Sequence, residues 1–330
     1  QLLTNPDIWR ALHNLDYNAA ALDAHWRNYN KRRPPSKTLA STTFGEYLGT
    51  RGVSTELDTG STPAPSPKLT EVFPNWEALS TTTKQRTLLQ TYEPTLVSAL
   101  DPGSTALPPH VKAALEAALN KGQLGGSSTV RGAREKLSSA VNEALAKSAR
   151  TPADLEAIMK LVGGSGSKGS IGEDFVGEHL VDKTHGANDK SQLVITKEEV
   201  PELEVQESFR PDRVIPDAHY TLDVKVGYAN TDLDLKQARN YRTLRDKSQS
   251  NPTLAAKLGG PIDGHAWLLL PGGEKPALTV ALEKRAYLDI NGFQADRVLF
   301  LGSDGQIYQV NSSGPPVARG TNIHAALGIP

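Results

Sequence analysis

Three charged side chains, Asp212, Asp223 and Lys225, have the types and spacing to do chemistry together. Asp223 and Lys225 are two residues apart in a β-rich run, 220–228. On a strand, residues two apart point to the same face. Asp212 lies on the preceding extended run, and Ile215-Pro216-Asp217-Ala218-His219 reads as the turn between the two. A hairpin bent there brings Asp212 alongside Asp223, to within a residue or two of register. Two carboxylates and an ammonium that converge are costly unless something uses them. A hard divalent cation would: Mg²⁺ takes one or two carboxylates, keeps waters and meets substrate phosphates. The rival reading is an exposed hairpin with ordinary surface charges. Apolar Val214, Leu222, Val224 and Val226 around the charges argue against full exposure.

Pro211-Asp212 followed by Asp223-Val224-Lys225 resembles the PD-(D/E)XK nuclease superfamily, whose fold is restriction-endonuclease-like. That family adds a helical glutamate ahead of the hairpin, and Glu173, after Gly169 and Gly172, stands at the corresponding place. Glu178 competes with it from a different face of the same helix. Asp217 also follows a proline, but only five residues separate it from Asp223, which assigns it to the turn. Many members carry Gln-x-x-x-Tyr on the next helix, and Gln237 and Tyr241 match this at i and i+4. The resemblance spans about half the chain, from near residue 165 onward. It implies that Asp212, Asp223 and Glu173 hold Mg²⁺ (or Mn²⁺). It also implies that Lys225 holds or activates the attacking water. Gln237 and Tyr241 would support the site, with the alternative that Tyr241 packs in the core. Arg239, Arg242 and Arg245 would contact phosphates if DNA binds, and would otherwise form a solvated face.

The rest of the chain must position this half. Its 330 residues suffice for two or three domains. We expect helical regions at 1–60 and 68–162, then a nuclease-like domain at 166–330, with linkers at 60–67 and 163–167. The fold class is then α+β or α/β: a mixed sheet flanked by helices, preceded by a mainly helical half. Expected helices include 111–120, 134–149 and 152–162, the last with Thr151 as N-cap. In the second half we expect a helix at 172–182, extended runs at 192–196 and 203–209, and a helix at 233–247. A buried strand follows at 265–270, then an ambiguous helix at 279–290 and a hairpin of 297–301 with 306–310. A phosphate-loop reading of Gly163 to Lys168 fails, because Gly-Lys-Ser/Thr after a strand is missing. His179, Asp182 and His185 match no zinc spacing. Trp26, Tyr29, Lys31, Arg32 and Arg33 read as a helix end beside a packed tryptophan, with a nucleic-acid contact as the rival.

There are no cysteines, which excludes disulfides and thiolate metal sites. That suits a reducing cytosol or a protein that unfolds in transit. Net charge is −1, so no global basic field draws nucleic acid. No stretch reaches membrane-span length. The first residue is Gln rather than Met, which suggests a fragment or a processed product. The expected function is metal-dependent phosphodiester hydrolysis, on DNA with RNA as alternative. The expected setting is an antibacterial toxin or effector, secreted into a target-cell cytoplasm and blocked by a cognate immunity protein. The rivals are a cytoplasmic housekeeping or phage DNA-processing nuclease, and an inactive relative that only binds nucleic acid or a partner.

Overall fold

The computed structural model describes residues 66–73, 75–121, 124, 126–163, 165–182, 184, 189–191, 193–205, 207–226, 235–273 and 275–329. The expected region 1–60, most of the linker 60–67 and His185 lie outside the described residues. Two compact units form: Gln1–Ser80 with Leu124–Lys136, and Thr81–Gln123 with Leu137–Pro330. In the first, the short helix α1 (Leu69–Val72) is fixed by a bridge of Lys68 to Thr129 and by the Leu69 N–H donating to Ser128 O at 3.0 Å.

In the second unit, helices come first: α2 (Thr81–Tyr92), α3 (Pro94–Ala99), α4 (Pro109–Asn120), α5 (Val130–Ser148), which runs in from the first unit, and α6 (Pro152–Leu161). Thr151 caps α6: its hydroxyl accepts from the Asp154 N–H at 3.1 Å while Asp154 accepts from the Thr151 N–H. Next come α7 (Ser165–Phe175), which runs into one π-helical turn (Val176–Leu180), and the short strands β1 (Lys190–Ser191), β2 (Ile195–Thr196) and β3 (Ser208–Phe209). The hairpin β4 (Arg213–Ile215) and β5 (Tyr220–Val226) leads to α8 (Leu235–Ser248) and α9 (Pro252–Leu258). Then follow β6 (Gly264–Leu270), α10 (Ala277–Ile290), β7 (Arg297–Leu301), β8 (Ile307–Val310), β9 (Val317–Gly320) and α11 (Ile323–Leu327).

The main sheet runs β1-β4-β5-β6-β7-β8-β9, and β2 and β3 pair apart from it. β5, β6 and β7 are parallel because helices connect them, whereas the hairpin neighbours are antiparallel. β6 is buried along its whole length and lies at the centre. The result is a mixed α/β unit whose C-terminal sheet is flanked by helices.

Several expectations need correction. The helices α2 to α4, most of α5, and α6 belong to the same compact unit as the sheet. α7 begins inside that glycine- and serine-rich run, at Ser165 rather than near 172. Its intrinsic helix propensity is low, and packing overrides it. A Cβ on Gly172 would sit 2.3 Å from Val226 and 3.3 Å from Leu270, so glycine at this position lets the helix come this close to the sheet. Of the extended runs, only Ile195–Thr196 and Ser208–Phe209 pair as strands. β1, β9, α9 and α11 lie outside the expected elements; α9 and α11 nevertheless carry local signals, with Asn251 and Asn322 accepting from backbone N–H groups at their starts and Gly259 and Gly328 closing them in the left-handed conformation.

Candidate active site

The hairpin forms where the turn chemistry indicates. Pro216–Ala218 makes one 3₁₀ turn, and His219 closes it in the left-handed conformation at φ 56°. Arg213 pairs with Leu222 and Val214 with Thr221, so one further step sets Asp212 beside Asp223 on the same face. The Val224 N–H donates to Asp212 Oδ2 at 2.7 Å. Lys225 Nζ lies 2.7 Å from Asp223 Oδ1. Asp223 is fully buried, and its contact with Lys225 is an ion pair. Access to the pair is from the Asp212 and Lys225 side, where Lys225 retains 16% exposure. Asp217 is exposed in the turn.

Burial is the main force on Asp212, followed by the charge of Asp223, a hydrogen bond with it, and the charge of Glu173. Together they push the Asp212 carboxyl up to about 9. Asp212 therefore keeps its proton at neutral pH. The charge of Glu173 acts on Asp212 from α7. Glu178 instead lines a polar cavity of about 410 Å³ with Glu143, Lys147, Asp174 and Arg213. Arg213 ties strand to helix: its guanidinium donates to Glu173 O at 3.3 Å. Gly177 makes room for it, since a Cβ there would lie 2.0 Å from the guanidinium.

Gln237 and Tyr241 sit on α8, behind the acid pair. Tyr241 is core: its ring stacks on His265 with centroids 3.5 Å apart and meets Phe209 edge-on at 4.8 Å. Burial, then the charges of Asp223 and Asp212, raise its hydroxyl well above the usual phenol range. Thr221 Oγ1 lies 2.9 Å from His265 Nδ1, and burial followed by the charges of Lys225 and Lys284 keeps that imidazole neutral.

Lys284 is the residue that sequence reasoning missed. It is buried on α10, its ammonium 4.2 Å from the centroid of the Trp267 ring. Burial brings it down to about 7, opposed by the charge of Asp223 and reinforced by that of Lys225. The signal was present: Val280, Lys284 and Leu288 recur every four residues and so share the buried helix face.

Arg239, Arg242 and Arg245 do not stand free beside the carboxylates. Arg239 makes a bidentate pair with Glu204 at 2.6 and 2.9 Å, and Arg245 pairs with Asp246 at 2.8 Å. Arg242 donates to Gly292 O and lies over the Phe293 ring at 4.1 Å. A phosphate here would have to displace acids from two of the three.

No family model, curated protein or solved structure matches the chain. Among the described residues, no three His, Cys, Asp or Glu side chains are arranged ready to hold a metal ion. His179 meets Ala146 O at 3.1 Å and lies tilted against the Phe175 ring, with centroids 5.0 Å apart, as a packed histidine does. The donor chemistry at Asp212 and Asp223 nevertheless suits a hard cation: two adjacent carboxyls whose negative charges oppose each other.

Proposed function

We propose that this chain is a metal-dependent nuclease that hydrolyses phosphodiester bonds, most naturally in DNA, with a restriction-endonuclease-like second half. The observation that carries the reading is the convergence of Asp212, Asp223 and Lys225 on one buried sheet face, with Glu173 felt from α7. Asp212 and Asp223 would hold Mg²⁺ or Mn²⁺, with Glu173 completing or extending the set. Bound there, such an ion supplies electrophilic charge and a water of lowered pKa. To serve as a ligand, Asp212 would have to release the proton that burial holds on it. Lys225 is aligned by Asp223 and offers its ammonium to the attacking water and to charge developing on the phosphate. Tyr241 and His265 back the pair with packed rings and exclude water behind it. A role as an antibacterial effector with an immunity partner rests on the absence of cysteine and on the family resemblance. Among the described residues no helix is long and apolar enough to cross a membrane.

The test is degradation of plasmid DNA and of RNA with Mg²⁺, Mn²⁺ and chelator. Asp223→Ala and Lys225→Ala should each lower the cleavage rate by about 100-fold or more. Both should still unfold cooperatively. If Asp223→Ala cleaves as fast as the parent, this site is wrong. Binding without cleavage under every divalent metal would favour an inactive binding module.

A further inference from the structure

We propose that Lys284 is a positioning residue of this site: seated on Trp267, it is the second of two ammoniums that hold the Asp223 carboxylate in place. The proposal rests on the nuclease reading only for its catalytic consequence. Trp267 is the direct register partner of Asp223 across β5 and β6. Its indole N–H donates to Asp296 Oδ2 at 3.2 Å, which fixes the ring. Lys225 and Lys284 both lie about this ring, at 5.8 and 4.2 Å from its centroid. A buried ammonium is expensive unless its surroundings compensate. Here the compensation is the indole face and the charge of Asp223. The groups facing this locus are Asp223 and Lys225 from β5, Asp212 beyond β4, His265 from β6 and Tyr241 from α8. Among the acids of that set, Asp223 is the one whose charge acts on Lys284. A lysine held there for packing alone would be replaceable by a methionine of similar shape.

The experiment uses the whole chain with Lys284→Met, Lys284→Arg, Asp223→Asn and the double variant Lys284→Met with Asp223→Asn. The metal-free readout is a double-mutant cycle by denaturant unfolding. Lys284→Met should be less favourable with Asp223 present than in the Asp223→Asn background. The metal readout is Mn²⁺ titration calorimetry, with Asp212→Asn as the control that loses the site. Removing a positive charge that opposes the incoming cation should tighten Mn²⁺ by about 3- to 10-fold in Lys284→Met. Cleavage should fall in kcat with KM for DNA unchanged, because Lys284 is buried and touches no substrate. Lys284→Arg should recover part of the loss. Should Lys284→Met not fold, Lys284→Gln takes its place in the cycle. An additive cycle together with unchanged Mn²⁺ affinity overturns the proposal while leaving the nuclease reading intact. A coupled cycle in a parent that binds no Mn²⁺ upholds the pairing and overturns the nuclease reading.

Discussion

The two faces of β5 and β6 are equally buried and chemically opposite. On the face toward α7, Leu222, Val224 and Val226 alternate with Ala266, Leu268 and Leu270 on the neighbouring strand. Gly172 lets the helix come down onto this layer, in contact with Val224, Val226 and Leu270. On the other face, Thr221, Asp223 and Lys225 stand opposite His265, Trp267 and Leu269. Parallel strands covered on both sides are ordinarily apolar throughout. One face obeys that rule, and the other breaks it at consecutive in-facing positions. Such a departure costs stability, and its concentration on one side of one hairpin marks where the molecule does something other than fold.

The contrast can be broken most forcefully at Trp267. Trp267→Ala removes a fully buried ring and the seat of Lys284. It should cost about 3–5 kcal/mol of stability and alter divalent-cation affinity as well, read by denaturant unfolding and Mn²⁺ titration. On the apolar face, Gly172→Val forces a methyl-bearing carbon into Val226. A loss of about 1–3 kcal/mol should follow, with cation affinity unchanged in the folded fraction. Equal effects of both variants on cation binding would remove the distinction between the faces.

Asp212 gives a pH test of the polar face. Its carboxyl titrates near 3.8 ordinarily and near 9 in the folded chain. Between those values the folded state keeps a proton that the unfolded state has released. Stability therefore falls as pH rises through that window. Asp212→Asn should flatten the fall, with a gain of about 1–3 kcal/mol near the top of the window and none below its lower end. A denaturation midpoint measured across this range checks it, and an unchanged slope would show that Asp212 is not the group that holds the proton. The smallest effect belongs to the surface of α8. Arg239→Ala breaks an exposed pair with Glu204 and should leave the unfolding midpoint unchanged within error. If DNA affinity falls in that variant, Arg239 exchanges Glu204 for phosphate.

Much of this was legible in the chain. The two-residue period placed Asp223 and Lys225 together, because side-chain direction on a strand is a local property. The Pro216 turn fixed the hairpin, because proline and a left-handed His219 act over a few residues. The four-residue spacing set Gln237 and Tyr241 on one helix face for the same reason. The buried strand Gly264–Leu270 announced itself by a continuous apolar run. Tertiary structure alone decided the rest. It made a helix of the serine- and glycine-rich start of α7, since close approach to the sheet outweighs intrinsic propensity. It tied up Arg239 and Arg245 with acids whose proximity no sequence spacing encodes. It raised the Asp212 carboxyl through burial, a property of everything packed around it. It also brought Lys284, 59 positions beyond Lys225 in the numbering, onto the same indole, which required the crossovers from β5 to β6 and from β6 into α10. Local chemistry reads along the chain, whereas the charge state of a site depends on neighbours that only the fold assembles.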